Sequence, residues 1–192
     1  RELLLALKAD VAALDPSDRR IIEVDRHLAW NAFLTGDFQA AADAFADVGA
    51  RARPLPGEAA TVPAMSRAYI SGGLGLALAR LNRGPEALAA AEETRQLREA
   101  ALGPDDPQAL ASGFGVATAL VGVGRIAEAV AVLDDLDRRF SERFGASHPQ
   151  AVLAAHELGV ALARLHRYPE AIEPLRRAAA ARLEAFGADS GN

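Results

Sequence analysis

Three stretches of the chain repeat one another at a fixed step of 42 residues. RGPEALAAAEETRQLREAALGPDDP (83–107) lies over RIAEAVAVLDDLDRRFSERFGASHP (125–149) and over RYPEAIEPLRRAAAARLEAFGADSG (167–191). In this alignment Arg83, Arg125 and Arg167 coincide. So do Glu86, Glu128 and Glu170; Ala87, Ala129 and Ala171; and Gly103, Gly145 and Gly187. Pro107 matches Pro149, and Leu78, Leu120 and Leu162 match upstream. A weaker copy, GDFQAAADAFADV (36–48), puts Ala41 in the place of Ala87 at a step of 46. Its four extra residues fall in the Pro-broken stretch ARARPLPGEAATVPA (50–64). A period of this length marks an array of small units, each burying an apolar face on the next.

Each unit reads as two helices. Leu158, Leu162 and Leu165 recur at helical spacing, and Ala171, Leu175 and Ala178 do so after them. Asp106-Pro107 supplies an N-cap and a proline at the first helical position, and His148-Pro149 does the same less well. Gly103, Gly145 and Gly187 are expected to end the second helices in a left-handed cap. The spacing predicts repeats over 17–60, 61–105, 106–147 and 148–187, all in one domain. Before them ELLLALKADVAAL (2–14) predicts a leading or capping helix within 1–16. Aromatic residues are only 5% of the chain while Ala and Leu abound, which also favours helix over strand.

These motifs resemble a tetratricopeptide repeat, in the 42-residue variety of kinesin light chains and many bacterial regulators. The resemblance covers about 17–187 and implies an all-α, right-handed α-solenoid of about nine helices. The family has a small residue on the first helix where Gly75, Ala117 and Gly159 stand. Another opens the second helix at Ala87, Ala129 and Ala171, and the large apolar residue the family has four further on is matched by Leu133 and Leu175 and only weakly by Ala91. The glycines of GFGVATALVGVGRIAEAV (113–130) then belong to a helix and its turn. Gly113, Gly115, Gly122 and Gly124 also miss the phosphate-loop spacings, because Thr118 stands where a third glycine is needed and no lysine follows. A helical glycine costs about 1 kcal/mol relative to alanine. Close helix packing, or the approach of a partner's backbone, is expected to offset it at Gly113 and Gly115.

No catalytic set emerges. His27, His148, His156 and His166 have no H-E-x-x-H spacing, and Ser66, Ser71 and Ser112 have no base placed beside them in the sequence. We expect no enzyme, no cofactor and no metal. The net charge of −5 argues against nucleic acid. No apolar run reaches the roughly 18 residues of a membrane span. The chain has no cysteine, which excludes disulfides and thiolate metal sites and fits a reducing, cytoplasmic setting. It also lacks an initial methionine, so it reads as a piece of a longer protein.

The resemblance implies a concave groove lined by the first helices. The repeat register places Glu23, Arg26, Trp30 and Phe33 there, then Tyr69, Gly72, Leu76 and Arg80. Phe114, Thr118 and Val121 follow, and then Leu153, His156, Val160 and Arg164. Trp30 and Phe33 read equally well as core. Some family grooves hold a peptide carboxylate with an Asn/Lys/Arg set. The corresponding sites here are His27, Gly73, Gly115 and Glu157, which departs from that pattern. The expected ligand is a protein or peptide segment, apolar, with an acidic group for Arg80 and Arg164. The expected role is a scaffold or regulatory part of a larger bacterial signalling protein. The alternative is a self-assembly module giving a homo-oligomer, within a Ser/Thr kinase, an NTPase-type transcriptional regulator or a caspase-like protease.

Overall fold

Four helix starts are set by a capping side chain, and six helix ends by a residue at positive φ. The computed structural model describes residues 14–54 and 59–189, with Glu2, Leu5 and Ala6. Among these residues eight helices form and no strand. They are α1 (Arg19–Leu34), α2 (Phe38–Ala52), α3 (Ala64–Arg80), α4 (Gly84–Leu102), α5 (Pro107–Gly122), α6 (Ile126–Phe144), α7 (Pro149–Arg164) and α8 (Tyr168–Asp189). Most of the expected leading helix over 1–16 lies outside the described residues. Asp18, Asp37 and Asp106 cap α1, α2 and α5, accepting from the N–H groups of Arg20, Ala40 and Gln108 at 2.9, 3.1 and 2.8 Å. His148 caps α7 by accepting from the Gln150 N–H at 3.2 Å. Each cap satisfies a donor that the first helical turn leaves open.

The helices gather into two compact units, Arg1–Ser112 and Gly113–Asn192. In the first, α1 packs on α2, α2 on α3 and α3 on α4. Its core joins Ile22, Phe45, Val48, Ile70 and Leu78, with Val62 from the connecting segment. In the second, α6 packs on α7 and α7 on α8. Leu133, Leu136, Phe140, Leu158 and Leu162 are buried there. Small residues stand where helices cross. A Cβ on Gly75 would lie 3.4 Å from the Ala90 Cβ and 3.5 Å from the Ala87 carbonyl. One on Gly159 would lie 3.2 Å from the Ala171 carbonyl, with Leu175 closer still. Gly113 is likewise pressed against Leu136, at 3.0 Å. Gly115 is exposed, so packing does not account for it.

The left-handed caps fall elsewhere than the sequence suggests. Gly36, Asn82, Gly124 and His166 end the first helices with φ of 85°, 57°, 81° and 59°. The N–H after each donates five residues back, as in Arg83 to the Leu78 carbonyl at 2.9 Å and Arg167 to Leu162 at 3.0 Å. This is a Schellman closure, and it recurs in all four hairpins. Gly103 and Gly145 do end α4 and α6, but with ψ of 153° and 151° beside φ of 89° and 91°. That region is open to little but glycine, and it is not the left-handed helical one. Gly187 ends nothing, because α8 runs through it to Asp189. Pro107 and Pro149 follow four residues after the capping glycines, whereas residue 191 is Gly, so no proline stops α8.

Candidate functional site

The second helix of three hairpins opens with the same clasp. Arg83 donates to both carboxylate oxygens of Glu86, at 2.7 and 2.5 Å. Arg125 does so to Glu128 at 2.6 and 2.6 Å, and Arg167 to Glu170 at 2.7 and 2.5 Å. These bonds hold all three carboxyls below the ordinary glutamate range. The alignment shows the residues coinciding, but not that they touch. The clasps tie up surface charge at the turns and leave the first helices to meet other groups.

In the first unit the residues expected to face a ligand form two groups. Arg26 stacks over the Tyr69 ring at 5.9 Å, and Arg98 of α4 lies over the same ring at 5.8 Å. Arg26 is also bonded to Glu23 through Nε and Nη2, at 2.9 and 2.7 Å. Burial raises the Glu23 pKa, but hydrogen bonds from Ser66 and Arg26 outweigh it and leave it lowered. The second group is aromatic. Trp30 meets Phe33 edge-on at 5.6 Å and Phe45 at 5.3 Å, and Arg80 lies 5.9 Å from Phe33 and 5.5 Å from Phe38. Trp30 and Phe33 are half-buried against the core, so each is part core and part surface. Tyr69 and Leu76 are exposed by 45% and 51%, which leaves them open to a ligand. Gly72 points toward Thr94 of α4, 3.7 Å from a built Cβ.

In the second unit Phe114, Thr118 and Val121 of α5 meet Val160 and Arg164 of α7 around a cleft of about 160 Å³. Its deep wall is Ala117, Leu133 and Ala161, and Glu157 joins the rim. His156 is half-buried and takes no part in the lining. Two sites of the carboxylate-binding pattern are occupied otherwise. The His27 Nδ1 lies 2.7 Å from the Glu23 carbonyl, and Gly73 is pressed against Phe45. His148 stacks on Phe140 with centroids 6.0 Å apart, and His166 Nδ1 meets the Tyr168 hydroxyl at 2.8 Å, so both serve the fold. Among the described residues no three His, Asp or Glu side chains gather as a metal site. None of the described helices is long and apolar enough to cross a membrane.

The model of the tetratricopeptide repeat family matches residues 68–108 and 152–191. At those two stretches the chain carries tetratricopeptide repeats. Its fold matches that of nearly identical TPR-like repeats from a Podosopora anserina protein assigned as a kinesin light chain. The TM-score there is 0.83, with 24% identity over 96% of this chain and 86% of that one. BtubC (BKLC) from P. vanneervenii follows with a TM-score of 0.71 and 17% identity, over 95% of this chain and 69% of that one. MamA AMB-1 gives 0.59 and 18%, over 91% and 84%. At these identities the likeness is one of fold. No curated protein sequence matches the chain. Tetratricopeptide repeats are in general non-catalytic scaffolds for protein interaction, and no enzyme family is indicated.

Proposed function

We propose that this chain is a cytoplasmic scaffold or regulatory segment of a larger bacterial signalling protein. It works by holding a peptide or protein segment against the first helices of its hairpins. The cleft between α5 and α7 carries the reading. Five side chains set on first helices by the repeat register converge there, around a mostly apolar lining. Tyr69, Leu76 and Arg80 offer the same mixture in the first unit, where aromatic and arginine side chains are frequent binding anchors. Peptides selected by display against the protein test this. Val160→Glu should weaken peptides held by the second unit at least tenfold, and Leu76→Glu those held by the first, with thermal unfolding unchanged. Selected peptides that bind both variants as they bind the parent would refute it.

A second reading, self-association, draws on α8. Tyr168, Ile172 and Leu183 are exposed there by 56%, 64% and 73%. Val130 and Leu88 occupy the position of Ile172 in the preceding repeats and are buried. Light scattering across a concentration series decides it: a mass that stays monomeric removes this reading.

A further inference from the structure

Glu157 and Arg164 stand seven residues apart on α7, so two helical turns place them on one face, about 10 Å from each other. Both line the cleft whose apolar surface is Phe114, Val121 and Val160. Among the described residues neither has an ion-pair or hydrogen-bond partner. Several arginines away from the cleft are engaged: Arg83, Arg125 and Arg167 in the turn clasps, Arg51 by Asp25 and Asp47, and Arg177 by Asp137. Arg164 repeats Arg80, two repeats earlier, but Glu157 repeats nothing: Gly73 and Gly115 hold its place. The cleft thus displays an unpaired acid and an unpaired base, separated by an apolar surface. Charges arranged in this way select a ligand of opposite pattern and fix its register.

We propose that the α5–α7 cleft takes an extended peptide with an apolar side chain flanked by a basic and an acidic one. The base meets Glu157 and the acid meets Arg164. In an extended chain of the polyproline II form, three residues per turn bring side chains three apart onto one side, about 9 Å from each other, which matches the two rim charges. A volume near 160 Å³ suits a single apolar side chain between them. The proposal rests on the binding role given above and adds the chemistry of the segment bound.

The test uses four dodecapeptides with Gly/Ser flanks, followed by chemical-shift titration of the 192-residue chain. Their centres are Lys-Leu-Ala-Glu, Gln-Leu-Ala-Glu, Lys-Leu-Ala-Gln and Gln-Leu-Ala-Gln. The doubly charged peptide should bind about three- to tenfold tighter than the neutral one at low salt, since each rim pair contributes little singly. Glu157→Gln should abolish the advantage of the lysine alone, and Arg164→Gln that of the glutamate alone. Arg164→Gln also removes a cation from the last turn of α7, so its melting curve is recorded alongside. Equal binding of all four peptides overturns the charge pattern and leaves the binding role standing. So does a variant that abolishes both advantages together while its melting curve matches the parent. Binding of none of them, or binding untouched by Val160→Glu, overturns the binding role as well.

Discussion

Two adjacent glycines in the middle of α3 should respond to alanine with opposite signs. A Cβ at Gly73 would lie 2.6 and 2.7 Å from the two Cε atoms of Phe45. A Cβ at Gly72 would lie 3.7 Å from the Thr94 side chain, an ordinary contact. Replacing a helical glycine by alanine gains about 1 kcal/mol of helix propensity at either site. At Gly72 most of that gain should survive. At Gly73 the ring must retreat by about 1 Å to restore normal carbon separations of ~3.5–4.0 Å. Phe45 is 0% exposed and Trp30 stands 5.3 Å from it, so the ring moves only by repacking its neighbours. Overpacking of this kind costs about 1–3 kcal/mol, and a pinned ring belongs at the upper end. The net expectation is a loss of about 1–2 kcal/mol for Gly73→Ala and a gain of about 0.5–1 kcal/mol for Gly72→Ala. Urea unfolding followed by far-ultraviolet circular dichroism reads both as shifts of the midpoint at constant slope. Gly73→Ala on a Phe45→Leu background should lose its penalty, because the obstructing ring edge is gone. A Gly73→Ala protein more stable than its parent would refute the packing argument.

Three further outcomes are expected. His166 holds φ at 59°, so His166→Gly should raise stability by about 0.5–1 kcal/mol in urea unfolding, despite losing the 2.8 Å contact to Tyr168. Arg177→Met removes the ion-pair partner of Asp137, which is only 8% exposed, and leaves it the Ser141 hydroxyl at 3.3 Å; because the Arg177 side chain is itself 34% exposed, the loss should be about 1–2 kcal/mol, and Asp137→Leu on that background should recover most of it. The side chain and N–H of Arg20 bond the Asp18 carboxylate and bring its pKa down to about 2 from 3.8. A carboxyl depressed in the fold stabilises above its unfolded pKa, so the deficit of Asp18→Ala should be constant above about pH 4 and fade as the pH falls to about 2.

The helix pairs and their small crossing residues were legible because both follow from one period. Gly75 and Gly159 share one repeat position, Ala87 and Ala171, which they cross, share another, and Asp106-Pro107 announces a helix start. The left-handed caps were hidden because two of the four are not glycine. Asn82 and His166 occupy the same backbone state as Gly36 and Gly124, so composition draws the eye to Gly103, Gly145 and Gly187 instead. The Arg–Glu clasps were visible as aligned letters, but contact depends on both side chains folding over one turn. Trp30 was ambiguous for a physical reason: it is half-buried, edge-on to a core ring with its other side on the surface. In the cleft, the repeat register alone sets Phe114, Thr118, Val121, Val160 and Arg164 on first helices. Glu157 also stands on a first helix, but at the position of Gly73 and Gly115, where the repeat carries no side chain to mark a lining site.

Gly103 and Gly145 bend the backbone through nearly the same torsions, φ 89° with ψ 153° and φ 91° with ψ 151°. The stretch between them is therefore a structural cassette, one repeat with matching ends. If that segment of the gene is duplicated, both seams fall on a bend the polypeptide already makes. A duplication of this stretch out of step with the 42-residue period would set a side-chain-bearing residue in torsions that suit glycine. Chains of this kind can lengthen in a single recombination event, with no compensating substitution at the joint.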